Sequence, residues 1–152
     1  AEAIAAFVNR ILAGKAGIDR AQVLERFGNV GLLLAEGDGR VIGILGWRAE
    51  NLVVRVTDLL IWPASQRATA ARALLGAMEK AAYELQCEAA LLLPPRKPTT
   101  EHTSFFSKLG YELRAVADLP RAWREASREA GFQDGDSVLT KELRTDRVLR
   151  PL

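Results

Sequence analysis

Hydrophobic positions along the chain recur first at a helical spacing and then at a strand spacing. In residues 2–13 (EAIAAFVNRILA) the apolar side chains Ile4, Phe7, Val8, Ile11 and Leu12 share one face, which predicts a helix. Gly14 to Gly17 ends it. Asp19 caps a short second helix through Val23, Leu24 and Phe27, stopped at Gly28. Residues 30–35 then read as a strand, 36–40 (EGDGR) as a hairpin turn and 41–48 as the partner strand. Ala49, Glu50 and Asn51 turn the chain again into a long third strand over 52–62. Three antiparallel strands in a meander are the economical reading.

A long helix over 66–86 follows, with Leu74, Leu75, Met78, Ala81, Ala82 and Leu85 as its apolar stripe. Arg67, Arg72, Glu79, Lys80 and Glu84 lie mostly off it. Residues 89–93 are wholly apolar, as in a strand covered on both faces, and the intervening helix makes the strand parallel to the third. The proline-rich run 94–98 is a stiff connector. Thr99 or Thr100 caps a helix to Leu109, ended by Gly110. A strand over 111–116, an amphipathic helix over 119–131 and a last strand over 137–143 complete the pattern. The order predicts an α+β fold with a mixed sheet, an antiparallel meander followed by a βαβ crossover. One domain over 1–143 and a basic tail over 144–152 are expected.

The stretch 58–75 (DLLIWPASQRATAARALL) carries the most chemistry. Pro63 has no N–H for a ladder and disfavours a helical Trp62, so the strand stops there. Strand end, tight turn and helix start leave backbone N–H groups pointing one way, at the positive end of a helix dipole. Such a place suits an anion, a nucleotide pyrophosphate in particular. Any strand-to-helix crossover of an α/β domain has the same pattern, so both readings stand.

Composition narrows the classes. With 49% apolar and 26% charged residues the chain is an ordinary soluble globular protein. The net charge of +2 is slight and its basic residues are scattered, so nucleic acid is not an expected partner. A lone Cys87 excludes an internal disulfide framework, and one histidine beside one cysteine makes a zinc site improbable. No signal peptide and no apolar run of membrane-spanning length are present, so the cytoplasm is the expected compartment and no membrane partner is expected. The chain opens directly in a helix and without an initiator methionine, which points to a piece of a larger protein.

Three local patterns then resemble the GNAT superfamily of acyl-CoA-dependent N-acetyltransferases. Leu59-Leu60-Ile61-Trp62-Pro63 is similar to its "LYVxP" strand end. Phe105-Phe106-Ser107-Lys108-Leu109-Gly110-Tyr111-Glu112 is similar to its "FYxKLGFE" signature. Val138-Leu139-Thr140-Lys141-Glu142-Leu143 resembles its closing strand. EAIAAFVNR resembles the family's first helix, whose preceding first strand is missing from this chain. The resemblance implies an N-acyltransferase moving an acetyl or other acyl group from CoA to a small-molecule amine or protein amino group. It implies that Leu59, Leu60 and Ile61 pair with the pantetheine arm. The pyrophosphate would fall to Gln66, Arg67, Ala68, Thr69, Ala70, Ala71 and Arg72.

Three departures accompany it. Thr69 replaces the loop glycine that admits the phosphates; its hydroxyl could donate to them or its β-carbon could block them. Phe106 takes the slot of the tyrosine that protonates the leaving thiolate. Thr99 takes that of an asparagine. Together they leave open an alternative, a non-catalytic GNAT-like domain that binds a ligand or another protein.

Asp58, in register with Leu60 and Trp62 on one strand face, is the leading candidate base; Glu50 is weaker, and Glu101 is a third. The other reading of Asp58 is a structural pairing with Arg55 or a turn amide. Arg67 and Arg72 are either phosphate contacts or a solvated helix face. His102 reads as an exposed helix residue, Cys87 as a buried inert thiol, and Tyr111 as structural. Trp62 stands where it could narrow the acceptor cleft. The segment 119–131 is a lid, a dimer contact or packing, and a homodimer is possible.

Overall fold

The computed structural model describes residues 3–7, 31–93 and 99–144. Residues 3–7 are helical. Val8, Ile11, Leu12, the predicted second helix, the 94–98 connector and the tail from 145 lie outside the described residues. The strands are β1 (Gly31–Gly37), β2 (Arg40–Glu50), β3 (Val53–Ile61), β4 (Ala89–Leu92), β5 (Glu112–Ala115) and β6 (Ser137–Glu142). They form one six-stranded sheet in the order β1-β2-β3-β4-β6-β5. The helices are α1 (Arg67–Glu84), α2 (Thr100–Ser107) and α3 (Arg121–Glu129). This is the mixed α+β architecture that the sequence predicts, a meander followed by a parallel crossover. The chain divides into two compact units, Ala1–Trp47 with Thr57–Met78, and Arg48–Val56 with Glu79–Leu152.

In the first unit β1 and β2 pair antiparallel, from Gly31↔Trp47 to Gly37↔Arg40, with a bulge between Ala35 and Glu36. Asp38 (φ 53°) and Gly39 (φ 78°) form the two-residue turn, both left-handed, as a hairpin that follows strand twist requires. Gly31 is needed opposite Trp47. A β-carbon there would lie 2.5 Å from the indole Cε2. Ile4, Ala5, Phe7, Val41 and Ile44 form the core, joined by Leu32 and Leu60.

In the second unit Asn51 (φ 53°) and Leu52 (φ 68°) make a second two-residue turn of the same handedness. It follows a β2 that runs two residues past the predicted end, through Glu50. β3 pairs parallel with β4 from Val53↔Ala89 to Val56↔Leu92. β6 lies between β4 and β5, antiparallel to both. The core is Val53, Ala89, Leu91, Val116, Leu119, Trp123 and Val138. Of the three roles open to 119–131, packing is what Leu119 and Trp123 of this segment display. Ser127 is fully buried in α3 and satisfies its hydroxyl on the Trp123 carbonyl at 2.9 Å.

Helices α1, α2 and α3 end in the same way. The sixth residue donates to the first carbonyl of the last turn and the fifth to the second, around one left-handed residue. For α1 these bonds are Cys87 N–H to Ala82 O and Gln86 N–H to Tyr83 O, with Gln86 at φ 69°. For α2 they are Tyr111 to Phe106 and Gly110 to Ser107, and for α3 Phe132 to Ser127 and Gly131 to Arg128. This early stop corrects the predicted α1 stripe. Leu85 falls past the last helical residue and is 56% exposed, so the buried stripe is Ala70, Ala71, Leu74, Leu75, Met78 and Ala82.

Glu79 sits at the edge of that stripe with its side chain 17% exposed. Lys141 Nζ on β6 donates to its Oε1 at 2.8 Å and to the Leu109 carbonyl at 3.1 Å. Tyr111 Oη, buried, donates to Oε2 at 2.8 Å. Burial first, then the Glu79 charge and its hydrogen bond, push the Tyr111 hydroxyl far above the usual tyrosine range. One carboxylate thus ties α1 to the α2–β5 turn and to β6.

Because removing it strands a half-buried ammonium and a buried hydroxyl, Glu79→Ala should lower the unfolding free energy by about 2–3 kcal/mol, and Tyr111→Phe by about 1 kcal/mol. Urea denaturation of both single variants and the double variant should show coupling. Strictly additive losses would remove the network.

Candidate functional site

The candidate site is the end of β3 and the start of α1, all within the first unit. β3 outruns its ladder with β4, which ends at Val56↔Leu92, and continues to Ile61. On its other side Trp62 N–H still donates to Ile42 O at 2.9 Å, so the strand is held to β2 past its formal end. Leu59, Leu60 and Ile61 are half-buried. Leu60 packs into the core of Ile4, Ala5 and Phe7. Ile61, one residue on, faces the opposite side beside Gly43, where Leu74 of α1 also packs.

Between strand and helix the chain makes a 3₁₀ turn over Ala64–Gln66. Gln66 N–H bonds to Pro63 O and Arg67 N–H to Ala64 O. The turn therefore uses two of the amides that the sequence leaves for an anion, and what the helix start can offer begins at Ala68. Residues 66–72 divide by environment. Ala70 and Ala71 are 2% and 0% exposed and point their methyls into the core. Arg67, Ala68, Thr69 and Arg72 are exposed, and Gln66 is half-buried. Thr69 and Arg72, three apart, share one solvent-facing side of the first turns.

Asp58 is half-buried, and its Oδ2 accepts from Thr57 Oγ1 at 3.0 Å. Arg55 donates instead to the Ala126 carbonyl of α3 at 3.1 Å. Glu50 is exposed at the end of β2 and belongs to the second unit, as does Glu101 in the first turn of α2. Among the described residues no cluster of three or more His, Cys, Asp or Glu gathers for a metal. No helix among them is long and apolar enough to cross a membrane.

The slot of the absent tyrosine is a packed one. Phe106 is 8% exposed, edge-on to Phe105 at 5.0 Å and to His102 at 4.9 Å. Thr99, in the asparagine slot, caps α2 by accepting from His102 N–H at 3.1 Å. Cys87 is buried, and desolvation pushes its thiol up while the Arg144 charge partly opposes the rise. The Glu79–Tyr111–Lys141 network is what sequence reasoning missed. Its one signal was a tyrosine in a slot the resemblance fills with phenylalanine, since a buried hydroxyl needs a partner.

No protein-family model matches the chain, and the curated proteins give no match. Solved structures do. Rv2747 from Mycobacterium tuberculosis, in complex with CoA, aligns with TM-score 0.66 at 16% identity over 95% of this chain and 96% of its own. Aminoglycoside 6′-N-acetyltransferase from Enterococcus faecium aligns with TM-score 0.62 at 14% identity, over 98% and 91%. N-acetylglutamate synthase from Neisseria gonorrhoeae, complexed with coenzyme A and N-acetyl-glutamate, aligns with TM-score 0.62 at 19% identity over 93% of this chain. The chain spans 32% of that protein's length. The chain has the fold of the GNAT acetyltransferases.

The division of residues 66–72 is testable by stability. Ala71→Leu overpacks the core and should cost about 1–3 kcal/mol in urea denaturation. Thr69→Ala, at an exposed position, should stay within about 0.5 kcal/mol of the parent. Comparable losses at both would contradict the assignment of faces.

Proposed function

We propose that this chain is an acyl-CoA-dependent N-acyltransferase whose acceptor is the amino group of a small molecule or protein. The observation that carries the reading is the mismatch of β3 and β4. The ladder ends at Val56↔Leu92, and β3 runs on to Ile61 and straight into a turn and helix start. Peptide groups past a ladder's end need other partners. Those peptide groups of Leu59, Leu60 and Ile61 that face away from β2 are offered to the amides of a pantetheine arm. At the helix start the small, exposed Ala68 lets a pyrophosphate approach the amides of Ala68 and Thr69, which lie at the positive end of α1. Thr69 adds a hydroxyl donor there, and Arg67 and Arg72 add charge. The synthase and Rv2747 structures, solved with coenzyme A, support the choice of cofactor.

Bound acyl-CoA supplies an activated acyl carbonyl. The chain's own residues hold and orient it by backbone pairing, which favours reaction by positioning. With the pyrophosphate at α1, the reactive end lies back along β3 toward Asp58. Asp58 takes the proton of the acceptor ammonium, directly or through one water. Phe106 has no proton to give and the Tyr111 hydroxyl is committed to Glu79, so no side chain is assigned as the acid. That same observation favours a second reading, a domain that binds the carrier or a partner without transferring the acyl group.

Acetyl-CoA should raise the melting temperature and bind in calorimetry. Thr69→Val, which loses the hydroxyl and keeps the bulk, should weaken binding, and Thr69→Gly, which clears the β-carbon from the approach to the amides, should tighten it. No binding at millimolar acetyl-CoA would end the proposal.

With turnover established against a panel of amines, Asp58→Asn should lower kcat by about a hundredfold. Unchanged rates would discard Asp58 as base. CoA binding with no turnover on any amine would favour the second reading.

A further inference from the structure

We propose that Trp62 grips the branched, apolar pantoyl segment of the phosphopantetheine arm, so that the site reads the arm and not the adenine nucleotide. The inference rests on the acyl-CoA reading of the β3–α1 site, and it turns on linear order. Along the chain come the peptide groups of Leu59, Leu60 and Ile61, then Trp62, then the turn at Ala64–Gln66 and the first helical amides. Along coenzyme A come the two amides of the arm, then the carbon bearing two methyl groups, then the pyrophosphate. Laid side by side, with amides on strand and pyrophosphate on helix, the one branched hydrocarbon piece of the carrier falls at Trp62.

Trp62 is built to receive it. It is 45% exposed, whereas Trp123 is 8% exposed and Trp47 lies over Gly31. An indole left in water at the end of a strand is an apolar surface awaiting a partner. Its backbone is already held, through the N–H bond to Ile42 O and the ring of Pro63 behind it. Only the two side-chain torsions remain to be ordered on binding, a small entropic cost for so large a contact. Two residues earlier on the same strand face, Leu60 is anchored in the core with Ile4, Ala5 and Phe7 and fixes the base of the platform.

Calorimetry with three probes separates the arm from the nucleotide: coenzyme A, 4′-phosphopantetheine and adenosine 3′,5′-bisphosphate. Trp62→Ala should weaken coenzyme A and 4′-phosphopantetheine by the same factor, about tenfold, the effect of losing an apolar contact of two methyl groups. The bisphosphate affinity should stay unchanged, and Trp62→Phe should stay within about threefold of the parent for all three. A loss of bisphosphate affinity in Trp62→Ala would overturn the proposal, because the indole would then stack on adenine. Undiminished coenzyme A affinity in that variant would overturn it too, while leaving the acyl-CoA reading in place. Failure of the parent protein to bind coenzyme A would remove both.

Discussion

Parallel pairing between β3 and β4 is the constraint on which the remainder depends. β4 has four residues, Ala89–Leu92, all buried, and it gives β3 only four partners. A buried peptide group without a partner costs on the order of a lost hydrogen bond, so a strand that outlives its neighbour must be completed by something else. On the side of β2 the chain completes itself as far as Trp62. On the other side its ladder with β4 ends at Val56↔Leu92. Sequences under 20% identical to this one share its fold, and two of them were solved with coenzyme A.

Helices α1, α2 and α3 are cut to length by the same terminal motif, each around one left-handed residue. In α2 this is Gly110, beside which Lys141 passes close enough that a β-carbon would meet its Cε at 3.1 Å. The glycine, the lysine and Glu79 are thus one arrangement. The signature that looks catalytic in sequence, FFSKLGYE, is here mostly a device for ending a helix and seating β5 beside β6.

Much of this was legible in the chain. Apolar patterning locates β1 to β6 and α1 to α3, down to β4, whose wholly apolar run is buried throughout. Thr99 announces the start of α2, since a threonine ahead of a helical period can satisfy an N–H there. What was hidden lies in long-range pairing. Glu79 meets Tyr111 and Lys141 across 32 and 62 residues, and no spacing rule reaches that far. The helix start was misjudged for a local reason. A 3₁₀ turn consumed the amides of Gln66 and Arg67, a difference that a sequence rich in alanine does not betray. Asp58 and Glu50 look alike as carboxylates on strands, yet one is half-buried beside Thr57 and the other exposed in the second unit.

The turn at Asn51 and Leu52 carries a last consequence. Leucine in a left-handed conformation costs about 1–2 kcal/mol, and this one is secured by Glu88 N–H donating to its carbonyl at 2.7 Å. Two residues is the shortest link that reverses a strand, so the count there sets the phase of everything downstream on β3. One residue more would turn the strand over. Leu59 and Ile61 would then trade places with Asp58, Leu60 and Trp62, putting a carboxylate against the long helix and stripping the indole from the outer side. The parity of the hairpin that opens β3 therefore decides which face each later residue of the strand takes.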